Sequence, residues 1–313
     1  MGSIRAHVCP PPFLPERDMP DLTGKITLVT GGNTGIGYQT VKQLLLKNAT
    51  VYLAARTPDK AAAAIKQLEE ETKRTAVFLQ LDLADLRSVR TAAEVFLAKE
   101  TRLDILFNNA GVMNCPTSKL TAQNHDLQFG TNVIGHFFLT ELLIPALTRS
   151  YEETKVPARI LNTSSIGHEL APGDGVDFAS LKGGPERDAW LKATGDSWKL
   201  YGESKMGNVF ISNYFATKHA DVLVSCAVHP GGIKSDIGRD SPMWMRAMST
   251  VLFYPAPMGA YTQLWGATIA TPAEINGQYL VPFGKVGKAD KRAANVKVQE
   301  EVIAYIQKQL KGF

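Results

Sequence analysis

Cysteine is scarce in this chain: Cys9, Cys115 and Cys226 are the three thiols among 313 residues. That is too few for a disulfide scaffold, and free thiols in a reducing compartment are expected. No run of about 18 apolar residues occurs, so no membrane-spanning helix is expected. The most apolar stretch, 251–270, is broken by Pro255 and Pro257. Residues 1–20 carry prolines in place of the continuous apolar core of a secretory signal. The opening Met1-Gly2-Ser3-Ile4-Arg5-Ala6 has alanine where a myristoylation site needs serine or threonine. A cytoplasmic location is the expectation. Histidine, cysteine and carboxylate spacings for a metal site are missing, so no metal is expected. A strong charge of one sign is missing too, since 34 basic against 30 acidic residues leave +4. With 44% apolar residues, that balance excludes disorder for the bulk of the chain. The whole excess lies between Lys285 and Phe313, where seven basic side chains meet three acidic ones. A solvated helix face accounts for it better than a peripheral membrane contact. Basic stripes interleaved with aromatics are absent, and no nucleic-acid partner is expected.

What is present is a regular alternation. Short β-rich runs at 26–30, 50–54, 76–81, 103–108, 158–164 and 222–228 are separated by helical patterns, among them 35–47, 59–73, 86–100 and 121–149. Several runs are apolar throughout, as parallel strands covered on both faces must be. The pattern predicts an α/β fold: one doubly wound, Rossmann-type parallel sheet with helices on both faces, spanning 22–313. Residues 1–21, with Pro10-Pro11-Pro12, read as an arm outside the sheet. Two segments, near 167–199 and 232–257, interrupt the alternation after strand ends, where such sheets bind ligands.

The first strand runs into Thr30-Gly31-Gly32-Asn33-Thr34-Gly35-Ile36-Gly37 and then a helix. Glycines there allow a tight turn and let backbone approach a pyrophosphate at the helix N-terminus. The spacing is GxxxGxG rather than GxGxxG. With the preceding threonine it resembles the short-chain dehydrogenase/reductase family, and the other motifs follow in that family's order from about Leu22 to Tyr279.

The resemblance implies that Gly31, Asn33, Thr34, Gly35, Ile36 and Gly37 hold the cofactor's phosphates. An NAD-binding site would place a carboxylate about 20 positions past the loop to grip the ribose. Ala55 stands 18 beyond Gly37 and Arg56 follows it. A guanidinium without a carboxylate suits a 2′-phosphate, so NADP(H) is the expected cofactor. The family implies the same, although Thr34 stands where many NADP-preferring members carry a basic residue. The resemblance also assigns Asp82 and Leu83 to the adenine, the Asn108-Asn109-Ala110-Gly111 segment to the cofactor cleft, and Pro230, Gly231 and Ile233 to the nicotinamide. His229 reads as structural.

A tyrosine four residues before a lysine puts both on one helical face. The pattern occurs as Tyr38/Lys42, Tyr151/Lys155, Tyr201/Lys205 and Tyr214/Lys218. Topology selects among them. Tyr38 belongs to the phosphate end, and Tyr151 precedes the fifth strand, at the edge opposite the ligand crevice. Tyr214 lies about 20 Å beyond Tyr201 on the same helix. Tyr201 alone stands near the start of a helix that follows a strand ending in Ser164-Ser165. A ketone receiving hydride needs a proton at oxygen, and free tyrosine, with a pKa of roughly 10, is a poor donor near neutrality. Lys205 and a cationic nicotinamide are expected to lower that pKa. The resemblance further implies that Lys205 bonds the nicotinamide ribose, that Ser165 polarises the carbonyl, and that Asn132 positions a water linking Lys205 to solvent.

The wording Thr131-Asn132-Val133-Ile134-Gly135-His136-Phe137 resembles the retinol-dehydrogenase-like branch. The 35 residues between Ser165 and Tyr201 depart from compact members; they hold Asp174, Asp177, Trp190 and Trp198 and should border the substrate. Met and Trp in Ser241-Pro242-Met243-Trp244-Met245-Arg246-Ala247-Met248 suit an apolar substrate cover, or simple packing on the domain. The expected activity is hydride transfer between NADP(H) and a ketone, aldehyde or secondary alcohol of a bulky apolar small molecule (polyketide, terpenoid, steroid or retinoid-like). A non-catalytic NADP-binding sensor or scaffold is the alternative, and an intact Asn132, Ser165, Tyr201 and Lys205 set opposes it. An epimerase or dehydratase would use the same tyrosine and lysine, but such relatives usually carry GxxGxxG and a larger C-terminal domain. Family habit implies a homodimer or homotetramer.

Overall fold

The computed structural model describes residues 13–233 and 254–313. Apolar runs with almost no polar interruption become strands covered from both sides. These are β1 (Ile26–Thr30), β2 (Thr50–Ala55), β3 (Val77–Gln80), β4 (Ile105–Asn108), β5 (Ala158–Thr163) and β6 (Leu223–Val228), all parallel. All six match the sequence expectation to within two residues at each end. Two further strands, β7 (Tyr279–Val281) and β8 (Lys285–Gly287), are too short to show a period. β7 joins β6 in parallel and β8 turns back antiparallel. The order is β3-β2-β1-β4-β5-β6-β7-β8, so the chain reverses its direction of sheet growth between β1 and β4.

Helices α1 (Gly35–Leu46) and α2 (Pro58–Thr72) cover one face of the sheet. On the other face lie α3 (Leu86–Leu97), α4 (Gly135–Thr154) and α6 (Ser197–Lys218), the last preceded in the chain by α5 (Pro185–Thr194). Two further long helices, α7 (Tyr261–Thr268) and α8 (Val296–Gln309), fall on the α1 face and the α4 face respectively. The layers are therefore two apolar cores separated by the sheet. Residues 13–21 lie outside the sheet, yet Phe13 and Met19 are buried in the core of the α1 face, and the Phe13 ring meets Tyr261 edge-on at 6.4 Å.

The helix expected over 121–149 starts later and ends later. Asp126 accepts from the amides of Gln128 and Phe129, which starts a helical turn, Leu127–Phe129. A widened π segment, Gly130–Ile134, follows and leads into α4. The joined stretch Leu127–Thr154 is long and apolar enough to cross a membrane, but most of it is buried in the protein's own core.

The segment after β5 folds as the 3-10 turns Ile166–Leu170 and Phe178–Ser180, then α5. A buried ion pair fastens it: Arg187 donates to Asp126 at 2.8 Å, with 3% and 2% of their side chains exposed. Arg187 Nε also donates to the Ser180 carbonyl. Most of the 232–257 interruption, including the cover expected at Ser241–Met248, lies outside the described residues. Substituting Arg187→Met strands a buried carboxylate, so unfolding in urea should become easier by about 3–5 kcal/mol. A loss under about 1 kcal/mol would mean that the pair does not hold this segment.

Candidate active site

The glycine loop, Asn109–Gly111, Ser165 and Pro230–Gly231 all follow the ends of parallel strands, and the strand order diverges between β1 and β4, where such sheets open a crevice. The glycine loop after β1 is held by Gly31 N–H donating to Ala54 O at 2.8 Å. A Cβ on Gly37 would lie 2.2 Å from Gly31 O and 2.6 Å from Asn109 Nδ2, so only glycine lets the loop close over α1. The first-turn amides of α1 have no partner within the helix and face the anion site. Thr30 Oγ1 accepts from the amides of Asn109 and Ala110, both at 2.9 Å, while Asn109 Nδ2 donates to Thr30 O. A backbone cradle that a methyl group would fill suits a pyrophosphate. Beside it, β1 and β2 pair through Thr30 and Ala54, so the exposed Arg56 leaves β2 next to the loop. Asp82 is half-buried, and its Oδ1 accepts from Ala84 N–H. Leu83 is buried beneath Gly135. On the other side, Ile36 and Ile233 meet across Gly259, whose Cβ would come within 2.7 and 3.0 Å of them. Asn33 and Thr34 lie on the loop, Thr34 exposed, while Pro230 and half-buried Gly231 follow β6.

The second cluster sits on α6, which is buried without interruption from residue 200 to 212. Tyr201 is 5% exposed and Lys205 2%. Lys205 Nζ donates to Thr163 O at 2.9 Å and lies 5.7 Å from the centre of the Tyr201 ring. Of the serine pair, Ser164 Oγ donates to the Lys205 carbonyl, whereas Ser165 bonds the Tyr201 phenol. Asn132 stands in the π segment, a distortion frequent at functional sites. Its Oδ1 accepts from Val112 N–H at 2.8 Å, and its Nδ2 donates to Val112 O and Ser204 Oγ. Gly111 closes over this group: a Cβ there would lie 3.2 Å from Asn132 Oδ1 and 3.5 Å from Lys205 Nζ.

The other tyrosine–lysine pairs show that proximity alone decides nothing. Lys218 Nζ donates to Tyr214 Oη at 2.6 Å, but at the surface. Tyr151 lies at the end of α4, three residues short of its last residue and on the sheet edge where strands begin.

In the chain alone, burial dominates the electrostatics of this cluster. Lys205 does not by itself lower the tyrosine: burial pushes the Tyr201 phenol up to about 12, and the Ser165 hydrogen bond is what opposes this. Burial also brings Lys205 down to about 7. His229 is likewise held neutral, lowered to about 4 by burial and by His168, and accepts from Gly231 N–H.

Several members of the site have no sequence signal. His136, lowered to about 4 by burial, bridges Asn132 O and Thr30 Oγ1 at 2.9 Å each. Asn208 donates to Asn132 O. Glu203, between Tyr201 and Lys205, is raised to about 8 by burial and bonds Ser180 and Asp177 N–H. Among the four residues singled out in the insertion, Trp190 donates to Asp177 and is buried, while Asp174 is exposed. Trp198 alone reaches the site, edge-on to Tyr201 at 6.2 Å. No group of three or more metal-ligating side chains occurs among the described residues.

A doubly wound sheet with this loop and this buried tyrosine–lysine group defines a dinucleotide-dependent oxidoreductase. The profile described as short chain dehydrogenase matches residues 25–184. A short-chain dehydrogenase/reductase of Armillaria gallica is 45% identical over 313 residues, covering 99% of this chain and 98% of that one. Retinol dehydrogenase 11 of Mus musculus is 37% identical over 262 residues, covering 82% of this chain and 78% of that protein. The crystal structure of an uncharacterized protein from Mycobacterium Paratuberculosis superposes with a TM-score of 0.72 at 26% identity, covering 95% of this chain and 97% of that one. The chain belongs to the short-chain dehydrogenase/reductase family, whose members use NAD(P)(H), and retinol dehydrogenases are among its relatives.

Lys205 carries a pH signature. The unfolded chain holds its proton up to about 10.5 and the folded chain only to about 7, so folding releases a proton between those values. Wild-type stability therefore gains from this residue as pH rises through that window. Lys205→Met removes the gain, and its stability relative to wild type should fall steadily from pH 7 to 10.5 in urea titrations. A pH-independent difference would refute the depressed lysine.

Proposed function

We propose that the protein is an NADP(H)-dependent carbonyl reductase or alcohol dehydrogenase for a bulky, apolar small molecule. The observation that carries this reading is the Tyr201 phenol, bonded to Ser165 and backed by a buried Lys205 at the end of β5. When bound, the nicotinamide supplies or takes up the hydride and, oxidised, adds a positive ring charge. Tyr201 gives its proton to the carbonyl oxygen as that oxygen becomes an alcohol, and takes it back in the reverse direction. Ser165 donates to the same oxygen, stabilising the charge that develops there. Because burial disfavours tyrosinate, proton transfer depends on the Ser165 hydrogen bond and on positive charge beside the ring, which Lys205 carries when protonated. Asn132 fixes Val112 and Ser204 and thereby the distance between Gly111 and α6.

NADP(H) over NAD(H) is supported by Ala55 in place of a carboxylate and by the exposed Arg56 after it. An apolar substrate is supported by Trp198 beside Tyr201 and by exposed Ile166 and Leu170 in the turn following Ser165. The name of the retinol dehydrogenase relative points the same way.

Two tests address this. Tyr201→Phe should leave NADPH affinity nearly intact while turnover of a ketone panel falls by orders of magnitude; an active Tyr201→Phe with an inactive Tyr151→Phe or Tyr214→Phe would overturn the assignment. For the cofactor, a charge-assisted Arg56–phosphate pair is worth roughly 1.5–3 kcal/mol, about ten- to a hundredfold in affinity. Ala55→Asp with Arg56→Leu should shift preference to NADH by that order in parallel titrations. Equal wild-type binding of NADPH and NADH would sink the NADP reading.

A further inference from the structure

We propose that His168 is a positioning residue for Ser165, anchored by the distant segment 290–292; this rests on the reading of Ser165 as the group that polarises the carbonyl. His168 lies three residues past Ser165 and is 1% exposed. Its Nδ1 stands 2.6 Å from the Ser165 carbonyl oxygen and its Nε2 2.8 Å from the Asp290 amide nitrogen. A carbonyl can only accept and an amide N–H can only donate, so both ring nitrogens have assigned roles. Nδ1–H donates to Ser165 O, and the Nε2 lone pair accepts from Asp290 N–H. The Tyr279 ring packs on the imidazole with centroids 5.0 Å apart, which fixes its plane.

The anchor closes on the same turn. Asp290 holds Arg292 through both carboxylate oxygens, at 2.9 and 3.0 Å. The remaining guanidinium donors reach the carbonyls of Glu169, Ala171 and Gly173. The connection thus runs from Ser165 through His168 to Asp290, through Arg292, and back to the stretch 169–173 that follows Ser165. On the opposite side, Gly167 leaves no slack: a Cβ there would lie 2.8 Å from Tyr201 Cε1. The turn is gripped between Tyr201 and the 290–292 segment, and because Gly167 N–H donates to Ser165 Oγ at 3.1 Å, the position of the turn sets where the serine hydroxyl points. A serine side chain otherwise has three staggered rotamers of similar energy.

The experiment is a double-mutant cycle read as steady-state kinetics with NADPH and a ketone turned over by the wild type. His168→Phe keeps the ring volume and removes both hydrogen bonds; kcat should fall about tenfold or more while KM for NADPH changes less than about twofold. Arg292→Gln, at a half-buried position outside the apolar core, loosens the anchor and should lower kcat in the same direction. In a Ser165→Ala background both substitutions should change kcat by less than about twofold, because their effect passes through the serine. An equal further drop in that background, or full kcat in both single variants, overturns the proposal. If Ser165→Ala itself turns over like wild type, the reading of Ser165 fails instead. Should His168→Phe fail to fold by thermal melting, the Arg292→Gln arm of the cycle decides alone.

Discussion

The Thr30 hydroxyl joins the two halves of the sheet at the point where they part. It accepts from the first two amides after β4 and meets His136 on α4, so the end of β1, the cofactor cleft and the π segment share one small polar hub. From there one line of contacts runs to the glycine loop through Asn109 and Gly37. The other runs through His136 and Asn132 to Ser204 and Asn208 on α6. A threonine suits this place because its methyl group packs as valine would, while its oxygen can accept twice and donate once. A cofactor extended from the glycine loop to α6 would have its two ends held at a fixed separation by a group that itself need not touch the reacting atoms.

Around the chemistry the protein tolerates ionisable groups where water is excluded. Lys205, Glu203, Asp126 and Arg187 are all almost fully buried. Two of them, Asp126 and Arg187, neutralise each other and add little beyond fastening the insertion. Glu203, raised to about 8, is mostly a neutral acid near pH 7 that ties α6 to Ser180 and Asp177. Lys205 is different: nothing of opposite charge is paired with it among the described residues, and a backbone carbonyl is its main partner. An unpaired buried ammonium is a stability cost that a structural residue would not incur. It is consistent with a site shaped to receive compensating chemistry from a ligand.

The strands, the glycine loop and the choice among four tyrosine–lysine pairs were legible because each rests on a strong local pattern read in chain order. β7 and β8 were not, since three residues cannot display a period. The late start of the long helix was missed because Asp126 caps it from inside a run that looks helical by composition. Nor could sequence separate Ser164 from Ser165 on physical grounds: the distinction is that one hydroxyl is taken by the Lys205 carbonyl and the other meets the phenol. His136, His168 and Glu203 are silent in sequence because their partners are 106, 122 and 23 positions away. The direction in which burial moves Tyr201 and Lys205 is not legible either, as burial acts on both groups and cannot be read from spacing.

The unbroken burial of residues 200–212 has an evolutionary consequence. Tyr201 and Lys205 are embedded in a helix whose every face is packed, so they cannot drift without disturbing the core. Past residue 173, the segment leading to α6 is attached chiefly through Arg187 to Asp126 and Ser180 to Glu203. Descendants of such a chain can lengthen or rewrite that segment while inheriting the reactive group intact. A change in that segment would then alter what lies beside the reactive group without altering the group itself.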